Sequence, residues 1–131
     1  MGTKPQKRKV AVLGAGKLGS ILIQALIKAD LLSRDNIRAT VRHADRAEAL
    51  KKKLHIPVST SNVDAVKGAD IVFVCVKPQV VSEVMRNIRG QLSPQQLVIS
   101  VAASVPTSDI EKAIGKKTPV VRAMPNTPCA L

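Results

Sequence analysis

The sequence predicts a doubly wound α/β fold, an open parallel sheet with helices on both faces, and three observations carry that expectation. Short β-branched runs alternate with helical periodicity from Val10 onward. Gly14, Gly16 and Gly19 follow the first run directly and open the first helix. The chain is 45% hydrophobic yet has one aromatic residue, Phe73, so the core must be built from Val, Ile, Leu and Ala. Such a composition suits parallel strands buried on both faces. At 131 residues the chain is long enough to bury a core and short enough that a single domain is expected.

Residues 1–8 read as a disordered basic tail, ahead of a strand from Lys9 to Leu13. Leu18, Ile21, Leu22, Ala25, Leu26 and Ala29 recur at helical spacing, which predicts an amphipathic helix from Lys17 to Ala29. A turn over Ser33 to Asn36 leads to a second strand, Ile37 to Val41, and a helix from Ala44 to Lys53. Ile56 to Ser59 reads as a short strand and Asn62 to Lys67 as a helical turn. The run Ile71 to Val76 is the clearest buried strand, stopped by Pro78. A helix over Val80 to Ile88, a strand over Leu97 to Val101, a helix capped by Thr107 and running to Ile114, and a strand over Pro119 to Ala123 complete the pattern. Alternation of this kind implies right-handed crossovers between parallel strands.

The 21 Lys and Arg against 9 Asp and Glu give a net charge of +12. Position matters more than the total. Lys4, Lys7, Arg8 and Lys9 precede the first strand, Lys51 to Lys53 end a helix where cations favour the dipole, and Lys116 and Lys117 lie in a loop. Basic residues are not interleaved with aromatics, so the stacking platform of a single-strand binder is missing. Nucleic acid is therefore not expected as a partner, and the basic surface suits a phosphorylated cofactor. Cys75 and Cys129 have neither CxxC spacing nor His neighbours, and read as reduced thiols rather than a disulfide or a metal site. No apolar run approaches the ~20 residues of a membrane span. A soluble cytoplasmic protein without a membrane partner is expected.

GAGKLG, Gly14 to Gly19, matches the GxGxxG pattern. Alone the pattern is weak, but between a strand and a helix it has a mechanism. Gly14 allows a tight turn, Gly16 lets the backbone approach a pyrophosphate, and Gly19 lets helix and strand pack closely, the Rossmann arrangement for a dinucleotide. Ala15, Lys17 and Leu18 complete the loop. Cofactor choice should be written at the tip of the second strand, where an acid binds a ribose 2′-hydroxyl and a base accepts a 2′-phosphate. That tip reads Thr40, Val41, Arg42, His43 and carries no acid; Asp45 falls in the first turn of the next helix, and Arg46 stands one turn on from the tip. NADP(H) is favoured over NAD(H), with Arg42 as the charge-assisted donor and His43 beside it. Val76, Lys77 and Pro78 follow the fourth strand and Ala102, Ala103 and Ser104 the fifth, where small residues leave room for the ring or ribose of the nicotinamide half, and Lys77 reads equally as a solvated charge or a ligand contact.

VLGAGKLG at the start, Asn62 before a short helix, VFVCVKPQ at 72–79, ISVAASV at 99–105 and RAMPNTP at 122–128 together resemble pyrroline-5-carboxylate reductase, in that family's order and roughly its spacing. The resemblance implies reduction of the cyclic imine of pyrroline-5-carboxylate to proline by hydride from NAD(P)H, the last step of proline biosynthesis. It places Gly16, Lys17 and Leu18 on the pyrophosphate and Asn62 on the adenosine ribose. Val76, Lys77 and Pro78, with Ala102 and Ala103, would line the nicotinamide, and Asn126 of MPNTP would lie near the substrate. Imine reduction does not demand a triad or a metal, so no catalytic acid or base is assigned.

Three features depart from that family. Val41 stands where a polar residue is common, and Ser104 stands where a glycine is. Family members also continue into a helical domain that builds the dimer and much of the substrate pocket, so this chain alone is expected to be inactive, and a dimer is expected only with that domain. Another NADP-linked reductase, such as an F420-dependent one, and a non-catalytic nucleotide-binding module are the alternative readings.

Overall fold

The computed structural model describes residues 8–102, 104–115 and 118–123. Strand β1 (Val10–Leu13) leads to helix α1 (Lys17–Lys28), β2 (Ile37–Thr40) to α2 (Ala44–Leu54), and β3 (Val58–Ser59) to α3 (Asn62–Val66). Then β4 (Ile71–Val74) leads to α4 (Val81–Ile88) and β5 (Leu97–Ser100) to α5 (Thr107–Ile114), before β6 (Val120–Arg122). Every strand pairs parallel to its neighbours in the order β3-β2-β1-β4-β5-β6. The chain therefore starts in mid-sheet, winds outward to β3, and returns past β1 to add the other half. Winding reverses between β1 and β4, which opens a crevice at their carboxyl ends.

Alternation along β1 divides the core in two. Ala11 and Leu13 join Val72, Val74 and Val98 under α3, α4 and α5, through Val66, Met85, Ile88 and Ile110. Val10 and Val12 join Ile37 and Ala39 under α1 and α2, through Ile23, Ala47 and Leu54. Met85 is the one buried residue of the first group outside the expected set of Val, Ile, Leu and Ala.

The boundaries differ from expectation in informative ways. β1 and β3 end where expected but begin one and two residues late, while β2, β4, β5 and β6 end one or two residues early, although Cys75 N still donates to the Leu13 carbonyl (2.8 Å) and Val101 N to that of Val74 (3.1 Å). Thr107 is the first helical residue, and the extended Pro106 occupies the cap position with no side-chain cap. Burial on both faces holds for β1, whereas Leu97 and Ile99 on β5 are half-buried and Val121 on β6 is exposed. The cause is that α1 and α2 pack over the first half of the sheet only. Of the basic tail, only Arg8 falls within the described residues, where it is exposed.

One buried polar residue fixes the second half of the sheet. Gln96 is 7% exposed. Its Nε2 donates to the carbonyls of Val66 (3.0 Å) and Ala69 (2.7 Å), and its Oε1 accepts from Ser93 N (2.9 Å). The side chain thereby ties the α3–β4 connection to the start of β5. Gln96→Leu leaves the Ala69 carbonyl and the Ser93 N–H without these partners, while the Val66 carbonyl keeps Ala69 N (3.1 Å), and is expected to cost about 2–4 kcal/mol in urea unfolding. A loss under about 0.5 kcal/mol, the size of a surface change, would mean that the network contributes little.

Candidate cofactor site

The site forms where β1, β2 and β4 end together. Gly14 leaves β1 with φ +77°, and a β-carbon built on it would lie 2.5 Å from Val76 Cγ1 and 3.0 Å from the Val76 Cα and N. Only glycine fits there, both for its backbone and for the approach of the segment after β4. Ala15 N donates to the Thr40 carbonyl (2.7 Å) and Gly16 N to that of Gly14 (2.7 Å), which folds the loop back over β2. The first helical bond of α1 runs from Ser20 N to the Gly16 carbonyl (2.9 Å). Gly16 caps α1 without a side chain, so the amides of Lys17, Leu18 and Gly19 remain open, as anion sites at helix starts require. A β-carbon on Gly16 would meet nothing within 4 Å. The space over that turn is open to a ligand.

Thr40, 2% exposed, is the hinge of the arrangement. Its hydroxyl accepts from Gly14 N (3.1 Å) and donates to Asn62 Oδ1 (2.5 Å). The glycine turn, the end of β2 and the start of α3 are joined by one hydroxyl. Because Oδ1 is engaged, the Nδ2 end of Asn62 is left as a donor at the end of β2. The sequence pointed to Asn62 but gave Thr40 no role beyond its place at the strand tip, since a threonine there looks like any other half-polar strand residue.

A groove of about 570 Å³ runs from Gly16 and Lys17 past Val41 and Arg46, between α1 and α2, to Gln24 and Lys53. Arg42 and His43 are exposed beyond the tip of β2 and do not line it. Across the crevice, Val76 is half-buried, Lys77 and Pro78 are exposed, and Ala102 is 5% exposed, with its N–H donating to Ser100 Oγ (3.3 Å). Ser104 takes φ +63°, a left-handed conformation in which glycine carries no steric cost. Ala103 and Asn126 lie outside the described residues.

Cys75, at the end of β4, is a packing group. Burial pushes its thiol from 9.0 up to about 12, so it stays protonated and unreactive at neutral pH. Its contribution to stability is present below about pH 9 and is lost as pH rises through 12. Among the described residues no group of three or more His, Cys, Asp and Glu gathers as a metal site, and no helix is long and apolar enough to cross a membrane.

A 3-2-1-4-5-6 parallel sheet with a glycine turn and an open helix start at its switch point defines a Rossmann-type dinucleotide-binding domain. Residues 9–104 match the family model described as NADP oxidoreductase, coenzyme F420-dependent, and the chain belongs to that family. Within it, the likeness is to the amino-terminal NADP-binding part of pyrroline-5-carboxylate reductases. The reductase of Methanosarcina acetivorans is 42% identical over 121 residues, covering 92% of this chain and 45% of that relative. That of Pseudomonas aeruginosa is 37% identical over 123 residues, covering 94% and 45%. The Coxiella burnetii enzyme superposes with a TM-score of 0.85 at 30% identity, over 94% of this chain and 46% of its own. The Plasmodium falciparum enzyme, solved with NADP bound, superposes at 0.81 with 27% identity, over 98% and 45%. The chain thus spans about 45% of the length of these relatives.

Proposed function

We propose that this chain is the NADP(H)-binding part of a cytoplasmic reductase that delivers hydride to the cyclic imine pyrroline-5-carboxylate, forming proline. The observation that carries the reading is the open start of α1 at Gly16, set beside the Thr40–Asn62 pair at the switch point. The cofactor, when bound, supplies the hydride. Gly16, Lys17 and Leu18 hold its diphosphate on their amides, with Gly14, Ala15 and Gly19 shaping the turn. Asn62, fixed through Thr40, orients the adenosine ribose. The basic side of the β2 tip, where Arg42, His43 and Arg46 stand, favours the 2′-phosphate of NADP(H) over NAD(H). Val76, Lys77 and Pro78, with Ala102 and Ala103, border the place for the nicotinamide, and Asn126 stands near the substrate. Dimerisation belongs to sequence that the relatives carry beyond this half.

Calorimetry on the 131-residue chain tests the reading. NADPH is expected to bind about tenfold or more tightly than NADH, the value of one charge-assisted contact. Equal affinities would remove the case for NADP(H). A second reading, hydride exchange between NADP and coenzyme F420, is favoured by the description of the family model. It shares the cofactor site and differs in the substrate half, so assays of the full-length relative with each substrate separate the two.

A further inference from the structure

We propose that the residue reading the cofactor's 2′-phosphate is Arg46, seconded by Lys17, and not Arg42 at the strand tip; the inference rests on the NADP(H) reading above. The mouth of the α1–α2 groove is formed by Gly16 and Lys17 on the first turn of α1, Val41 after β2, and Arg46 on the first turn of α2. In a Rossmann domain the adenosine 2′ position is read at the tip of the second strand, which borders that mouth here through Val41. Three cations line the groove, Lys17, Arg46 and Lys53, and no carboxylate does. Lys53 is seven residues beyond Arg46, about 10 Å along the helix axis. Lys17 and Arg46, on the first turns of α1 and α2, stand at the mouth, whereas Lys53 is on the last turn of α2.

Neither of these two is committed elsewhere. The ion pairs among the described residues join Lys51 to Glu48 and Lys67 to Asp64. The start of α2 adds to the field. Its first bond runs from Ala47 N to the His43 carbonyl (3.0 Å), and His43 provides no side-chain cap. The amides of Ala44, Asp45 and Arg46 thus precede the first helical bond, on an eleven-residue helix whose positive end faces the mouth. Asp45 is exposed in the same turn but does not line the groove. Arg42, in the bend between β2 and α2, is exposed and does not line the groove.

The test compares NADPH and NADH binding to the 131-residue protein and to Arg46→Ala, Arg46→Lys and Arg42→Ala, with circular dichroism to verify folding. Arg46→Ala should weaken NADPH by about tenfold or more and leave NADH nearly unchanged. Arg46→Lys should recover part of the loss, and Arg42→Ala should leave the ratio of the two affinities nearly as it was. Loss of the preference in Arg42→Ala with its retention in Arg46→Ala overturns the proposal. So does an equal weakening of both cofactors in folded Arg46→Ala, which would make the residue structural. If the unmutated protein binds neither cofactor, the NADP(H) reading itself falls and takes this one with it.

Discussion

Given NADPH and pyrroline-5-carboxylate, the purified 131-residue chain is expected to bind the first and to leave the second almost unreduced. The groups proposed for the cofactor form a continuous set from Gly14 through Asn62 to Ala102, held together by the Thr40 hydroxyl and the Gly14–Val76 approach. The reductases that this chain resembles are more than twice as long. Hydride transfer requires the imine carbon about 3 to 3.5 Å from the nicotinamide, and correct placement is worth roughly 7–11 kcal/mol of barrier. A chain that holds only the cofactor forfeits most of that, so turnover should fall at least about a thousandfold below the ~10 per second usual for enzymes. Oxidation of NADPH followed by absorbance decides it. Ordinary turnover would place the substrate pocket within these residues.

Gly14→Ala should destabilise the fold strongly. The left-handed backbone costs a residue with a β-carbon about 1–2 kcal/mol. The new atom would also sit 2.5 Å from Val76 Cγ1 and 3.0 Å from its backbone, an overpacking worth roughly 1–3 kcal/mol more. The sum, about 2–5 kcal/mol, is a large share of a typical domain's stability. Gly16→Ala is the control, since a β-carbon there meets nothing within 4 Å. It should fold normally and bind NADPH poorly, because the added methyl occupies space above the helix start. Thermal unfolding within a couple of degrees of the unmutated chain for Gly14→Ala would refute the argument.

The fold was legible because its causes are local and periodic. The β-branched runs, the helical spacing of Leu18 to Leu26 and the glycine turn each point to the same doubly wound class, while the order β3-β2-β1-β4-β5-β6 is set by pairings across the sheet that the sequence does not spell out. The candidate site was legible where the backbone shapes it, as in the turn at Gly14 and Gly16. It was less so where contacts cross the sheet. Thr40 is chosen by its register beside Gly14 and Asn62 across 22 residues of chain, and Gln96 by carbonyls 27 and 30 residues away. No spacing rule reports such partners. Arg46 shows the same limit in another form: the strand-tip rule points to Arg42, but the residue on the groove is set by which face of α2 turns toward α1.

The most direct measurement of the central claim is a titration of the isotope-labelled 131-residue chain with NADP(H), followed by backbone amide NMR. The account predicts shifts centred on Gly14 to Gly19, extending to Asn62, Arg46 and Val76, with the α4–α5 surface around Arg86 and Lys112 unmoved. Shifts confined to that α4–α5 surface, or none at millimolar cofactor, would contradict it.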